Sequence, residues 1–130
     1  MRQIAKGMKK LKLSFHVLLS SPFVRAKRTA EIVADVLGTK IKLTDALVPT
    51  ANPKRLFQAA PKLFRSGSKV IVVGHEPFLG QLASLCLSGK SALNFRLKKG
   101  GLCKLSANSA TLGTFTLEWL LTPAQLVRLA

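Results

Sequence analysis

The sequence KVIVVGHEPF, at residues 69–78, decides the fold more than any other part of the chain. Its aliphatic run from Val70 to Val73 is typical of a parallel strand that is covered on both faces. Gly74 allows the backbone to approach a neighbour closely, and Pro77 suits the first turn of a helix. These residues therefore predict a strand that leads directly into a helix, with His75 at the junction.

A second junction of the same kind is predicted from the sequence SSPFVRAKRTAE at residues 20–31. It follows a short buried strand, predicted for residues 15–20, and Pro22 again suits the start of a helix. In open α/β sheets, ligands bind in the crevice at such junctions. Arg25, in the first turn or so of its helix, would offer charge-assisted hydrogen bonds to phosphate oxygens. Arg25 and His75 are thus candidate phosphate ligands.

Both side chains also have ordinary structural explanations. Arg25 could pair with Glu31 on the same helix or lie on a solvated face, because weak surface ion pairs of this kind are common. A lone histidine is more often a structural residue than a catalyst. The residues alone leave these alternatives open.

The remaining patterns predict an alternation of helices and short strands. In chain order they are a helix at residues 2–12, a helix that ends at Gly38, an extended segment at 41–47, a helix from 52 to 64, a helix from 77 to 89, two extended segments at 101–106 and 114–121, and a terminal helix capped by Thr122. The last two segments are expected to add an antiparallel pair at the edge of the sheet. We expect one α/β domain that spans residues 1–130.

The composition favours a folded protein with a basic surface. The hydrophobic fraction of 48% argues against disorder. The chain carries 21 Lys and Arg against 5 Asp and Glu, a net charge of +16 that would attract phosphates, acidic proteins or nucleic acid. The charge is dispersed, and the chain has no tyrosine and no aromatic pattern typical of RNA binding. A basic surface on a phosphate-handling fold is therefore favoured over a nucleic-acid-binding module.

No cofactor, metal site or membrane segment is expected from the sequence. Cys86 and Cys103 stand in unrelated contexts, without the spacing of a metal site, and are interpreted as reduced core thiols. The N-terminal residues lack the apolar core of a signal peptide, and no apolar run approaches the roughly 18 residues of a membrane span. We therefore expect a cytoplasmic protein.

Four sequence blocks resemble those of the histidine phosphatase superfamily. The two signature blocks are SSP, RA and TAE within residues 20–31, and VGHEP at residues 73–77. LKKGG at residues 97–101 and LEWLLTP at residues 117–123 are similar to the C-terminal pattern of small phosphohistidine phosphatases of the SixA type. The similarity covers nearly the whole chain. It implies a three-layer α/β sandwich with a mostly parallel central sheet, the phosphoglycerate mutase-like fold.

The resemblance implies a mechanism in which four groups surround one phosphate. Arg25 and His75 match two of them, and a Leu-x-Arg-His-Gly block at the end of the first strand supplies another arginine and the nucleophilic histidine. The nucleophile takes the phosphoryl group and water releases it, while cationic groups stabilise the phosphate oxygens. This chain contains no Arg-His-Gly. The first strand is therefore expected to be missing, the domain to be N-terminally incomplete, and its activity to be impaired.

The missing strand would also affect stability. The resemblance places it in the middle of the sheet, beside the strands at residues 15–20 and 69–73. Without it, backbone groups of both strands would lack partners unless the two strands close together or a second copy fills the gap. Self-association is thus a further expectation.

Two other residues, His16 and Asp45, have side chains with the chemistry for a catalytic role. His16 lies at the start of its strand, on the order of 13–16 Å from the other end where His75 is expected, so it is interpreted as a surface residue without a role. Asp45 is the only carboxylate in the segment that follows the Arg25 helix, and it is the candidate for the acid that protonates a leaving group.

The resemblance implies a protein phosphohistidine phosphatase. Its partner would be a phosphohistidine protein or another phosphate-bearing substrate. Two alternatives remain open: a non-catalytic remnant that binds phosphate or phosphoproteins, and a basic nucleic-acid-binding module. Nucleic acid and membranes are not expected partners.

Overall fold

The computed structural model describes all 130 residues as a mixed α/β fold. Its helices and strands are α1 (Arg2–Lys10), β1 (Val17–Ser20), α2 (Val24–Leu37), β2 (Ile41–Leu43), α3 (Leu56–Ala59), β3 (Val70–Val73), α4 (Phe78–Ser88), β4 (Leu102–Ser106), β5 (Thr116–Leu121) and α5 (Pro123–Leu129). Single turns of 3-10 helix lie at Asp45–Leu47 and Pro53–Arg55. None of the helices combines the length and the apolar composition that would let it cross a lipid bilayer.

The first three strands form a parallel sheet in the order β2-β1-β3. Strand β1 pairs directly with β3, with Val17 opposite Val70 and Ser20 opposite Val73. Of the two arrangements expected, the structure has the one in which these strands close together, and each supplies the backbone partners of the other. As a result, β1 and β3 end side by side, and the segments that follow them begin next to each other.

Strands β4 and β5 form a separate antiparallel sheet. The expectation that they extend the main sheet is wrong, because no backbone ladder connects them to β1, β2 or β3. They are held by side-chain packing instead. Leu102 packs against one core cluster and Leu105 against the other, and the register between β4 and β5 shifts between Lys104 and Leu105.

The core consists of two apolar clusters on opposite faces of the parallel sheet. Leu18 and Ile71 face a cluster with residues of α1, α2 and α5. Leu19 faces a second cluster that includes Phe78 and Leu82 of α4. Neighbouring residues of a strand point to opposite faces, so the aliphatic strands bury side chains on both sides. This layering confirms the α/β sandwich.

Helices α1 and α5 cross at Gly7. A Cβ atom added at Gly7 would lie 1.9 Å from the carbonyl oxygen of Leu126. Ala5, Met8 and Leu126 are buried around this crossing. Glycine is therefore required here because the backbone of α5 occupies the space of any side chain.

Several helix ends agree with the sequence patterns, and one does not. Gly38 ends α2 with a left-handed φ of 69°, and Thr122 starts α5 with a capping box. The helix predicted for residues 52–64 is wrong: regular α-helix covers only Leu56–Ala59. Ala60 has φ −137° and ψ 56° because a residue that precedes a proline, here Pro61, is disfavoured in the helical region.

Candidate functional site

The site lies where β1 and β3 end. The pairing of these strands continues one residue further, because the backbone N–H of Ser21 donates to the carbonyl oxygen of Val73 at 3.1 Å. Ser20 and Ser21 are both fully buried. The chain then turns into α2 after Ser21, while Gly74 and His75 lead from β3 towards α4. Both predicted strand-to-helix junctions are thus neighbours in space.

His75 contacts the first junction through Ser21. Its Nε2 atom lies 2.8 Å from the hydroxyl oxygen of Ser21. The same oxygen accepts the backbone N–H of Phe23 at 3.2 Å. The Phe23 and His75 rings meet edge to face, with centroids 5.6 Å apart and an interplanar angle of 65°. Two residues of the first junction therefore orient the imidazole.

Arg25 is the second residue of α2 and lies two positions after Phe23. Its side chain is exposed and makes no hydrogen bond or ion pair within the chain. The alternative pairing with Glu31 is absent, since the one ion pair of the protein joins Arg2 and Asp35. The first turn of α2 also has no acidic residue and no side-chain cap. A guanidinium without a partner thus stands beside free backbone N–H groups, which favours an anion.

Glu76 stabilises the start of α4. Its Oε1 atom accepts the backbone N–H of Gly80 at 2.8 Å. A carboxylate in this position satisfies one of the free N–H groups of the first turn. Because that oxygen is already bound to α4, Glu76 acts there as a support for the segment that carries His75.

Asp45 and His16 lie apart from these contacts. Asp45 begins the 3-10 turn after β2, is exposed, and makes no hydrogen bond or ion pair with Arg25 or His75. The Nδ1 atom of His16 accepts the backbone N–H of Lys69 at 3.2 Å. His16 and Lys69 directly precede β1 and β3, so the two histidines lie at opposite ends of these strands.

The two thiols are protonated at neutral pH. Burial raises the pKa of Cys86 to about 12, and the neighbouring Cys103 adds to the shift. Burial likewise raises the pKa of Cys103 to about 11. A thiol is a nucleophile only as a thiolate. Neither cysteine therefore offers a reactive group.

A basic cavity of about 380 Å³ lies elsewhere on the protein. It is lined by Lys6, Lys9, Lys10, Lys12 and Ala130, a set we call the lysine surface. None of its lysines forms an ion pair. The apolar face of α1 is buried against α2 and α5, so only the charged face of this helix is available to a partner.

The structure adds Ser21 to the residues that the sequence suggested. Ser21 lies inside the first signature block, but no local pattern indicates which side chain it would contact. Its partner His75 is 54 positions away in the sequence. Only the register of β1 and β3 makes them neighbours.

The family model of the histidine phosphatase superfamily, branch 1, matches residues 1–50. A solved structure of the protein histidine phosphatase SixA complexed with tungstate superimposes on 96% of this chain and 80% of its own, with a TM-score of 0.80 and 25% identity. The chain belongs to the histidine phosphatase superfamily. Within that superfamily the fold of the chain is SixA-like. A second solved structure, of a SixA protein from Agrobacterium tumefaciens assigned as a phosphohistidine phosphatase, matches 94% of this chain and 80% of the Agrobacterium chain. The TM-score of that match is 0.65 and the identity is 19%.

The chain is also similar in sequence to a third protein. An uncharacterized protein of Picosynechococcus sp. is 31% identical over 120 residues, which cover 87% of this chain and 70% of the relative. The membership of the superfamily confirms the resemblance that the two signature blocks predicted.

Proposed function

We propose that this protein is a protein phosphohistidine phosphatase in which Arg25 and His75 bind the phosphoryl group. The observation that carries the proposal is the contact of His75 with Ser21 and Phe23. This contact fixes the imidazole against the turn from which the helix of Arg25 begins. The similarity to SixA, whose structure holds tungstate, supports an oxyanion of this shape as the ligand.

Arg25 and His75 would bind different oxygens of the phosphoryl group. Arg25 can bind two phosphate oxygens with its planar, positively charged guanidinium. His75 can donate a hydrogen bond to a third oxygen. Such groups stabilise the negative charge on the oxygens during phosphoryl transfer, and they require no rearrangement if they are already in place. The Ser21 and Phe23 contacts supply this preorganisation for His75.

The transfer step itself needs a nucleophile. The family resemblance implies that the phosphoryl group passes to a histidine before water releases it. His75 is the one histidine of this chain at the ends of β1 and β3, because His16 lies at the opposite end. His75 binds the phosphoryl group in this proposal, and no second histidine lies beside it to accept that group. We therefore expect phosphate binding by the 130-residue chain and slow turnover at most, in which water attacks the phosphorus directly, the bond to the leaving nitrogen breaks and that nitrogen takes a proton from the water.

Because His16 lies at the opposite end of the strands from His75, the chain also fits a second function that needs no nucleophile. Binding of a phosphorylated protein without hydrolysis would need only Arg25 and His75, both of which the chain provides. The two functions share a ligand and differ in whether phosphate is released.

Hydrolysis of phosphoramidate and of a phosphohistidine peptide by the purified chain tests the proposal. We expect release of phosphate that is slow, independent of added metal and abolished in His75→Ala, with His16→Ala unchanged. Binding of the peptide without release of phosphate would establish the second function instead. Hydrolysis that survives in His75→Ala would overturn both.

A further inference from the structure

The hydroxyl of Ser21 makes two hydrogen bonds in a buried environment. Ser21 is 0% exposed, so water does not complete its bonding. Its oxygen accepts the backbone N–H of Phe23 at 3.2 Å and lies 2.8 Å from Nε2 of His75. A hydroxyl has one proton to donate, and buried polar groups are nearly always satisfied. The direction of the bond to His75 therefore follows from where this proton can go.

We infer that Ser21 donates its hydroxyl proton to Nε2 of His75, and so holds the neutral imidazole in the tautomer that carries its proton on Nδ1. Nε2 is the one acceptor within reach of the Ser21 hydroxyl, because the bond to Phe23 uses the oxygen as an acceptor. The opposite direction, with Nε2 as the donor, would leave the buried Ser21 proton without a partner. Ser21 is thus a positioning residue for His75.

The tautomer decides what His75 offers to a ligand. Nδ1 has no hydrogen bond within the protein, and the His75 ring is half-buried. In the inferred tautomer the protonated Nδ1 can donate to an anion, whereas the other tautomer would present a lone pair that repels the same anion. The edge-to-face contact with Phe23 restrains the ring from turning over. The part of the inference that concerns the anion rests on the proposed function, but the tautomer itself does not.

Two-bond ¹H–¹⁵N correlation spectra of the full chain without ligand test the tautomer directly. They are recorded at about pH 8.5, well above the ordinary histidine pKa of about 6.5. The inference predicts that Nδ1 of His75 has the chemical shift of a protonated nitrogen and Nε2 that of an unprotonated one. A protonated Nε2 in the same spectrum would overturn it. This measurement needs no substitution at Ser21.

Comparison of Ser21→Ala with the matched control Ser20→Ala separates the effect of the Ser21 hydroxyl on His75 from the general effect of removing a buried hydroxyl. Ser20 is equally buried, but its hydroxyl donates to the carbonyl oxygen of Ser21 at 2.9 Å and does not contact His75. We expect both ¹⁵N shifts of His75 to move towards a tautomer average in Ser21→Ala and to stay in place in Ser20→Ala. Equal changes in the two variants would contradict the positioning role.

Titration with tungstate connects the tautomer to binding. Loss of one well-oriented neutral hydrogen bond predicts an affinity for tungstate that is roughly three- to tenfold lower in Ser21→Ala than in Ser20→Ala. A fixed Nδ1–H tautomer in a chain that does not bind tungstate would sustain the inference about Ser21 and contradict the proposed function. Tungstate binding with a protonated Nε2 would do the reverse.

Discussion

The rings of Phe23 and His75 meet edge to face across the ends of two neighbouring parallel strands. Phe23 directly precedes α2, and His75 follows β3, so this contact joins the two signature blocks of the chain into one site. Arg25 lies two residues after Phe23 and has no partner within the protein. The contact therefore holds an oriented imidazole against the turn that precedes the helix of the unpaired Arg25 guanidinium.

Arg25 and His75 are expected to bind the same anion. Arg25→Ala should lower the affinity for tungstate by roughly 10- to 100-fold, because a charge-assisted hydrogen bond contributes about 1.5–3 kcal/mol. Arg25→Lys should recover part of it, since an ammonium cannot bind two oxygens in the same plane. Isothermal titration at constant ionic strength measures this. The controls are His16→Ala and Arg28→Ala, the second of which removes an equal charge from the exposed side of α2. An equal loss of tungstate affinity in Arg28→Ala would refute a specific role of Arg25.

Gly7→Ala is expected to destabilise the protein strongly. The added methyl group would lie 1.9 Å from the carbonyl oxygen of Leu126, so α1 and α5 would have to move apart. Overpacking of this kind costs about 1–3 kcal/mol in the free energy of unfolding. Urea denaturation measures the loss, with Gln3→Ala on the exposed side of α1 as the control. An unchanged urea midpoint in Gly7→Ala would show that α1 and α5 do not cross here. In the unmodified chain, a single cooperative transition would support the prediction of one domain.

The lysine surface is expected to be separate from the phosphate site. Replacing Lys6, Lys9, Lys10 and Lys12 by glutamine should lower the salt concentration at which the protein elutes from heparin, because fewer counterions are released from the polyanion. Tungstate affinity should change less than twofold. The matched control replaces Lys40, Lys42, Lys54 and Lys62, which are also exposed. A large loss of tungstate affinity in the first variant alone would place the anion on the lysine surface.

The cysteines are expected to react slowly with iodoacetamide. The pKa of Cys103 is raised to about 11 and that of Cys86 to about 12, so few thiolates exist at pH 8. The alkylation rate should keep rising above the ordinary thiol pKa of about 8.5. The unfolded chain releases these protons near pH 8.5 while the folded chain retains them, so the free energy of unfolding should fall from about pH 8.5 towards 11. Mass spectrometry measures the alkylation rates, with the chain unfolded in urea as the control. An alkylation rate that reaches a plateau near pH 8.5 in the folded chain would contradict the burial of the thiols.

The strand-to-helix junctions could be predicted because their determinants are local. An aliphatic run followed by Gly74 and Pro77 is contained in a few neighbouring residues, and the same holds for Gly38 at the end of α2 and for Thr122 at the start of α5. These features indicate where elements begin and end. They are sufficient to place His75 just beyond a strand and Arg25 in the first turn of the helix that follows another strand.

The pairing of distant segments could not be predicted in the same way. That β1 lies beside β3, and that β4 and β5 form their own sheet, depends on which apolar faces pack together in the whole chain. The Ser21–His75 contact is a consequence of this register and has no local pattern. The role of Ser21 therefore required the structure.

The tungsten anomalous signal of a crystal soaked in tungstate tests most directly whether Arg25 and His75 form one phosphate site. One peak is expected between the Arg25 guanidinium and the His75 imidazole, with tungstate oxygens about 2.7–3.2 Å from nitrogen atoms of both. A peak on the lysine surface alone, or a tungstate bound by one of the two residues with the other beyond its reach, would contradict a shared site.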